Sequence, residues 1–477
     1  MMLKFLSLYG INALSFVTNV GAIFIYSRLA GPAGYGTYGI YVALMSIFLI
    51  VEMSLLKASL AVAETARASH TEEDAQALAV QFLNWALVPI LIGSVVLILA
   101  GDLLFPADPE SHIGGSLIAA IAVAEHLLSY PSTRLSFHLA TEKRFGAVYI
   151  LRLGATLLRH GFAWSVLLVT GSIVLAIAAI IMKGAVLGIV SLVWTRRRFA
   201  LAERPTGRPT MGAFIMLGTF FGAAFALLAI QELPSVYIAR SLGREALGNY
   251  RFFYDLTAAI WFVATIYPTV LFAYLLPKHG RNDPKATKRR LRPLSDILVL
   301  FHLTYFATIC TLLSGALLVG ANMFRDQMPF AFAVAAAVSL LGYSRFLIEA
   351  TQALGHGRQT FVAVLISVGA VAAFFLLAPA QMGTQGIGWG WMLGQTVLVV
   401  LLKLIMARSI NAGASVLRDI AAVLFPFFGM IAAYTLLPNV YIFWLSFALM
   451  TGSGLATLTV LFGFYRAAKT SDVADAA

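Results

Sequence analysis

Between Leu6 and Ile25 the chain runs for twenty residues without a charged side chain, and stretches of this kind recur along its 477 residues. A helix needs about 20 apolar residues to cross roughly 30 Å of hydrocarbon. Inside a bilayer no water satisfies the backbone, so spanning segments are helices or the strands of a closed barrel. Barrel strands would be alternating stretches of about 10 residues, and the sequence has no such pattern. Hydrophobic residues make up 60 % of the chain and charged ones 11 %, where soluble chains carry roughly 25 % charged residues. The expectation is an all-α polytopic membrane protein. Fourteen candidate spans start near Leu6, Gly36, Ala77, Ile113, Phe145, Ser172, Thr210, Ala246, Leu294, Pro329, Gln359, Gly386, Val416 and Val440. The first is longer than the apolar core of a secretory signal and is expected to be a spanning helix.

The net charge of +12 suggests nucleic acid until the charges are placed on the loops. With the N-terminus inside, the inner loops and tails hold 22 of the 33 basic residues, among them Lys4, Arg67, Lys143, Arg196, Arg204, Lys278, Lys288, Arg358, Lys403, Arg408 and Arg466. Only Arg28, Arg240, Arg244 and Arg325 fall outside. This bias sets both termini in the cytoplasm. Most of the positive charge then faces anionic lipid headgroups, and nucleic acid is not an expected partner. The two most basic segments, TRRRFALAERPTGRP and PKHGRNDPKATKRRLRP, are orientation signals of this kind. Cys310 is the single cysteine, which excludes an internal disulfide.

One corner is written twice. RLAGPAGYGTY (Arg28 to Tyr38) lies between spans 1 and 2, and RSLGREALGNY (Arg240 to Tyr250) between spans 7 and 8. Gly31/Gly243, Gly36/Gly248 and Tyr38/Tyr250 match at an offset of 212. STRLSFHLAT in span 4 and YSRFLIEATQALG in span 10 align Arg134 with Arg345 at 211. Six crossings separate the copies, so the halves form a parallel repeat about an axis along the membrane normal. The expected domains are a six-helix lobe over 1–200, a second over 209–408, and two further helices with a short cytoplasmic tail over 415–477. Gly184-x-x-x-Gly188 and Gly218-x-x-x-Gly222 are small-residue patterns for close helix packing.

The corner S-R-L-A-G-P-A-G-Y-G-x-Y, its echo L-G-R-E-A-L-G-N-Y and the segment A-L-G-H-G-R-Q-T resemble the polysaccharide transporters. These are O-antigen flippase-like oligosaccharide-lipid flippases of the multidrug/oligosaccharidyl-lipid/polysaccharide exporter superfamily. The resemblance implies two six-helix lobes in a V around a central cavity that opens alternately to each side. It also implies a polyprenyl-pyrophosphate-linked oligosaccharide as cargo, with the inner membrane as location. Two extra C-terminal helices occur in some members, including peptidoglycan-precursor flippases.

Independently of that resemblance, charges inside the spans point to function. An ionisable side chain at mid-membrane costs about 2.5–3.5 kcal/mol on insertion scales, so it faces the protein interior or a wet cavity. Lobe one holds Lys57, Arg134, Arg152, Arg159 and Lys183 against Glu52 and Glu125, an expected positive excess. Arg152 and Arg159 are two turns apart on one helix face, about 10 Å along the axis. Arginine holds phosphate through paired hydrogen bonds, so these residues, with Arg345, are the candidate substrate-binding set. Glu52 and Glu125 are candidates for ion coupling or for pairing with these cations. Arg251 with Asp255, and Arg345 with Glu349, are four apart and read as structural ion pairs. His126, His138, His160 and His302 lack metal-ligand spacing and read as packing or cavity residues. No metal or cofactor is expected.

No nucleotide-binding loop G-x-x-x-x-G-K-[ST] occurs, nor H-E-x-x-H or G-x-S-x-G, and no outer loop exceeds roughly 15 residues by the span boundaries above. The sequence therefore reads as a non-enzymatic flippase for a lipid-linked oligosaccharide. Membrane lipids, and the polymerase and glycosyltransferases of the same pathway, are its candidate partners. The rivals are a peptidoglycan lipid-precursor flippase, a multidrug/cation antiporter of the same superfamily, and a membrane glycosyltransferase or polymerase.

Overall fold

The computed structural model describes residues 2–67, 72–107, 113–141, 144–198, 231–258, 284–318, 328–353, 356–377, 383–410 and 436–474, with scattered positions in 222–228 and 421–433. All the regular structure among them is helical. The elements are α1 (Met2–Arg67), α2 (Glu72–Leu104), α3 (Gly115–Thr141), α4 (Phe145–Thr170) and α5 (Ile173–Arg198). Then follow α6 (231–258, interrupted at Leu242 and Gly243), α7 (Pro284–Leu318), α8 (Met328–Ala353), α9 (Gly357–Leu377), α10 (Gly383–Ile410) and α11 (Asn439–Ala474). Six of the described helices are long and apolar enough to cross a membrane on length and composition. The chain is an all-α, multi-pass membrane protein. The spans expected to start near Thr210 and Val416 begin outside the described residues.

Two compact units divide the chain at Asp255/Leu256. The second corner, on α6, therefore belongs with α1–α5. The expected lobe boundary between 200 and 209 lies outside the described residues.

In the first unit α1 packs on α2, α3 and α4, and α5 packs on α3 and α4. The two expected spans of α1 are joined at Gly31, whose φ of 67° and ψ of 178° break the helix just before Pro32. Its repeat partner Gly243 has φ 85°. Both sit in the region where only glycine is at ease, which explains the repeated residue. The second glycine of each corner has a different task. A Cβ on Gly36 would overlap the carbonyl oxygen of Arg244, and one on Gly248 would overlap that of Pro32. Pro32 and Arg244 are themselves 212 apart. The two corners thus meet each other, each glycine against the other copy's backbone.

Gly184 and Gly188 act likewise between α5 and α3. A Cβ on Gly184 would stand 2.6 Å from the Glu125 carbonyl oxygen, and one on Gly188 would overlap that of Leu128. Gly218 lies outside the described residues. In the second unit α8 is the central helix, with almost every described side chain buried, and it packs on α7, α9 and α10, while α11 packs on α7. Cys310 is free and buried in α7.

Candidate functional site

Glu125 lies ten residues into α3, about 15 Å along the helix, and is fully buried. Around it the helices bring three side chains. Lys183, set beside Gly184 where α5 closes on α3, donates from Nζ to Glu125 Oε1. The Tyr41 hydroxyl on α1 donates to Oε2. Arg159 on α4 places Nη2 3.5 Å from Oε1. Its guanidinium lies 6.0 Å from the centre of the Tyr41 ring, within cation–π range. The Arg159 side chain stays 30 % exposed, against 8 % for Lys183. Both oxygens of Glu125 are engaged, and two cations share its single charge.

One residue along α3, His126 turns to the other acid. Its Nδ1 lies 3.3 Å from Glu52 Oε1, which also accepts the Thr133 hydroxyl at 2.8 Å. The ring of Phe48 stacks on His126 at 4.3 Å. Toward the first corner, the Tyr26 hydroxyl and His160 Nδ1 are 3.1 Å apart, and His160 Nε2 is 3.0 Å from Asn19 Oδ1. Tyr35, Tyr38 and Tyr41 follow at spacings of three, their rings tilted against one another with centroids 5.9 Å apart at each step.

A second network ties α6 to α1. Arg251, wholly buried, reaches Glu232 Oε2 and Asp255 Oδ1, each at 3.0 Å. Tyr35 donates to Asp255 Oδ2 at 2.9 Å, and Ser46 to Glu232 Oε1 at 3.1 Å. The expected Arg251–Asp255 pair is present. Glu232 was not among the acids read from the sequence. It entered no motif, and its burial depends on Arg251, nineteen residues on across the Gly243 break. Arg244, read as an outer-loop residue, reaches Thr37 Oγ1 at 3.1 Å and the Ile113 carbonyl.

The expected positive interior of the first lobe is corrected by these positions. Arg134 and Arg152 are exposed, and Arg152 lies over the Tyr149 ring at 5.8 Å. Arg152 is thus exposed where Arg159, two turns on along α4, is partly buried against Glu125. The side chains of Lys57 and Glu349 lie outside the described residues. Of the candidate cations whose side chains are described in the first unit, Arg159 and Lys183 are the two brought together, and the acids Glu125 and Glu52 stand beside them. Arg345 lies in the second unit on α8, partly buried. Lys403, expected in an inner loop, is instead 4 % exposed within α10 and 5.2 Å from the Tyr343 ring centre. No group of three or more metal-ligating side chains occurs among the described residues.

Neither family models nor the sequences of curated proteins match the chain. Solved structures do match in fold. The lipid II flippase MurJ, in an inward closed conformation, aligns over 98 % of this chain and 99 % of its own, with a TM-score of 0.57 and 12 % identity. The eukaryotic MATE transporter AtDTX14 aligns over 87 % and 96 %, with a TM-score of 0.57 and 13 % identity. An inward-facing multidrug resistance MATE transporter of the MOP superfamily aligns over 87 % and 99 %, with a TM-score of 0.53 and 13 % identity. The chain shares the polytopic fold of transporters and flippases of that exporter superfamily.

Proposed function

We propose that the protein is a flippase that carries a polyprenyl-pyrophosphate-linked oligosaccharide, a precursor of surface polysaccharide, across the inner membrane by alternating access. The observation that carries this reading is the cluster on Glu125. Lys183 and Arg159 meet Glu125 near mid-helix, with Glu52 close by as the second balancing acid. Arg159 is the open member, and its planar fork suits a phosphate. A large polar headgroup needs only a polar route past the hydrocarbon, so no covalent chemistry is required. A cationic cargo would find Glu125 fully engaged and only Glu52 partly open, which disfavours the antiporter reading.

Peptidoglycan lipid precursor is the second reading. The alignment with the lipid II flippase extends over nearly the whole chain, whereas the two MATE transporters named above leave more of it uncovered. The test is Arg159→Ala in the native host, with membrane insertion followed by blotting. Loss of surface polysaccharide with normal insertion supports the saccharide-lipid role. Normal export from an inserted variant refutes it. Rescue of a strain depleted of its lipid II flippase would favour the second reading.

A further inference from the structure

His126 has a partner on one nitrogen only. Nδ1 lies 3.3 Å from the Glu52 carboxylate, and an anion on that side favours the neutral tautomer with its hydrogen on Nδ1. Nε2 then carries a lone pair and has no hydrogen-bond partner among the described residues, although His126 is only 1 % exposed. An unpartnered buried polar nitrogen is a costly feature. Here it is an open basic site: burial opposes charge on the ring, while the Glu52 carboxylate and the stacked Phe48 ring favour the imidazolium.

The charges facing His126 come from each helix around it. α1 contributes Glu52, α3 contributes Glu125, and α5 contributes Lys183. From α4, Arg159 reaches the same Glu125. On α3 itself the Tyr130 ring lies 6.4 Å away, and Arg134, next to Thr133, is exposed. With His126 neutral, the two cations Arg159 and Lys183 are balanced by Glu52 and Glu125. One proton on Nε2 tips this set to a net charge of +1.

We propose that the His126–Glu52 pair is a proton-binding site that sets the affinity of the Arg159–Lys183 cluster for an anionic headgroup, so that the proton and the anion bind together. The inference rests on the anionic-cargo reading and deepens it. The proton comes from water, goes to the Nε2 lone pair, and breaks no bond in the protein. It need not touch the cargo, because its charge acts across the shared carboxylate network. Linkage is reciprocal, so binding the anion must also raise proton occupancy. The sign follows: acidification tightens anion binding, and the anion enters with a proton rather than in exchange for one.

The test uses the full chain in lipid nanodiscs and a short-chain prenyl-pyrophosphoryl-glucose. Each phosphorus of this probe carries one ester and one anhydride link, so its remaining acidic oxygen stays ionised from about pH 5 to pH 8, the range in which histidine changes charge. Calorimetry gives affinity, and a weakly buffered indicator gives proton uptake on binding. The expected result is binding on the order of tenfold tighter at the acid end, with proton uptake. In His126→Gln the affinity is flat with pH and uptake disappears. In Glu52→Gln, which removes one of the two balancing carboxylates, binding at the alkaline end becomes tighter than in the unaltered protein. Binding that ignores pH in the unaltered protein overturns the linkage and leaves the cargo reading standing. So does pH dependence that survives in His126→Gln. A probe that fails to bind at every pH overturns the cargo reading and the linkage with it.

Discussion

Glu125→Gln deletes one charge from the centre of the first unit while keeping the shape of the side chain. Lys183 and Arg159 would then stand together without an anion. Breaking a buried pair by removing one partner costs about 3–5 kcal/mol, since it leaves an uncompensated charge out of water. The two cations do not share this equally. Lys183 is 8 % exposed and donates directly to the carboxylate, whereas Arg159 is 30 % exposed and 3.5 Å away. The Arg159 contact belongs nearer the 0–1 kcal/mol scale (roughly) of solvent-reached pairs. Glu125→Gln is therefore expected to destabilise the protein by about 3–4 kcal/mol. Adding Lys183→Met should recover all but about 1 kcal/mol, because neither buried charge then remains. Adding Arg159→Met should recover little. Reversible denaturant unfolding in detergent, arranged as a double-mutant cycle, measures both couplings. The reasoning is refuted if Glu125→Gln/Lys183→Met is as unstable as Glu125→Gln alone, or if Arg159→Met rescues as well as Lys183→Met.

Arg251→Met leaves Glu232 and Asp255 without the cation they share, and is expected to cost about 3–5 kcal/mol by the same unfolding measurement. Gly248→Val places a side chain onto the Pro32 carbonyl. It should lower stability by at least about 1–3 kcal/mol through overpacking, seen as loss of the folded peak in size-exclusion chromatography. Gly146→Ala, where a Cβ meets nothing within 4 Å, should stay within about 0.5 kcal/mol of the unaltered protein.

The glycines of the corner were legible in the sequence because they meet constraints no other residue meets. Gly31 and Gly243 need positive φ, and Gly36 and Gly248 need an absent Cβ. Span positions were legible for a similar reason, since hydrocarbon thickness sets helix length directly. Charges were less so. Periodicity put Arg152 and Arg159 on one stripe of α4, but the width of the buried stripe depends on how closely α1 and α5 approach. Arg152 falls outside it. Lys403 looked like a loop residue because it follows a long apolar run, yet α10 continues to Ile410. His126 gave no signal, because its role comes from Glu52, seventy-four positions away on another helix.

The Gly36–Arg244 and Gly248–Pro32 approaches are the same contact with the roles exchanged. A surface that satisfies itself in this way is the mark of a two-fold interface between identical subunits. A half-length ancestor bearing a single copy of the corner would already own both sides of the joint. Two such chains, inserted in the same direction, would dock through it before any duplication joined them.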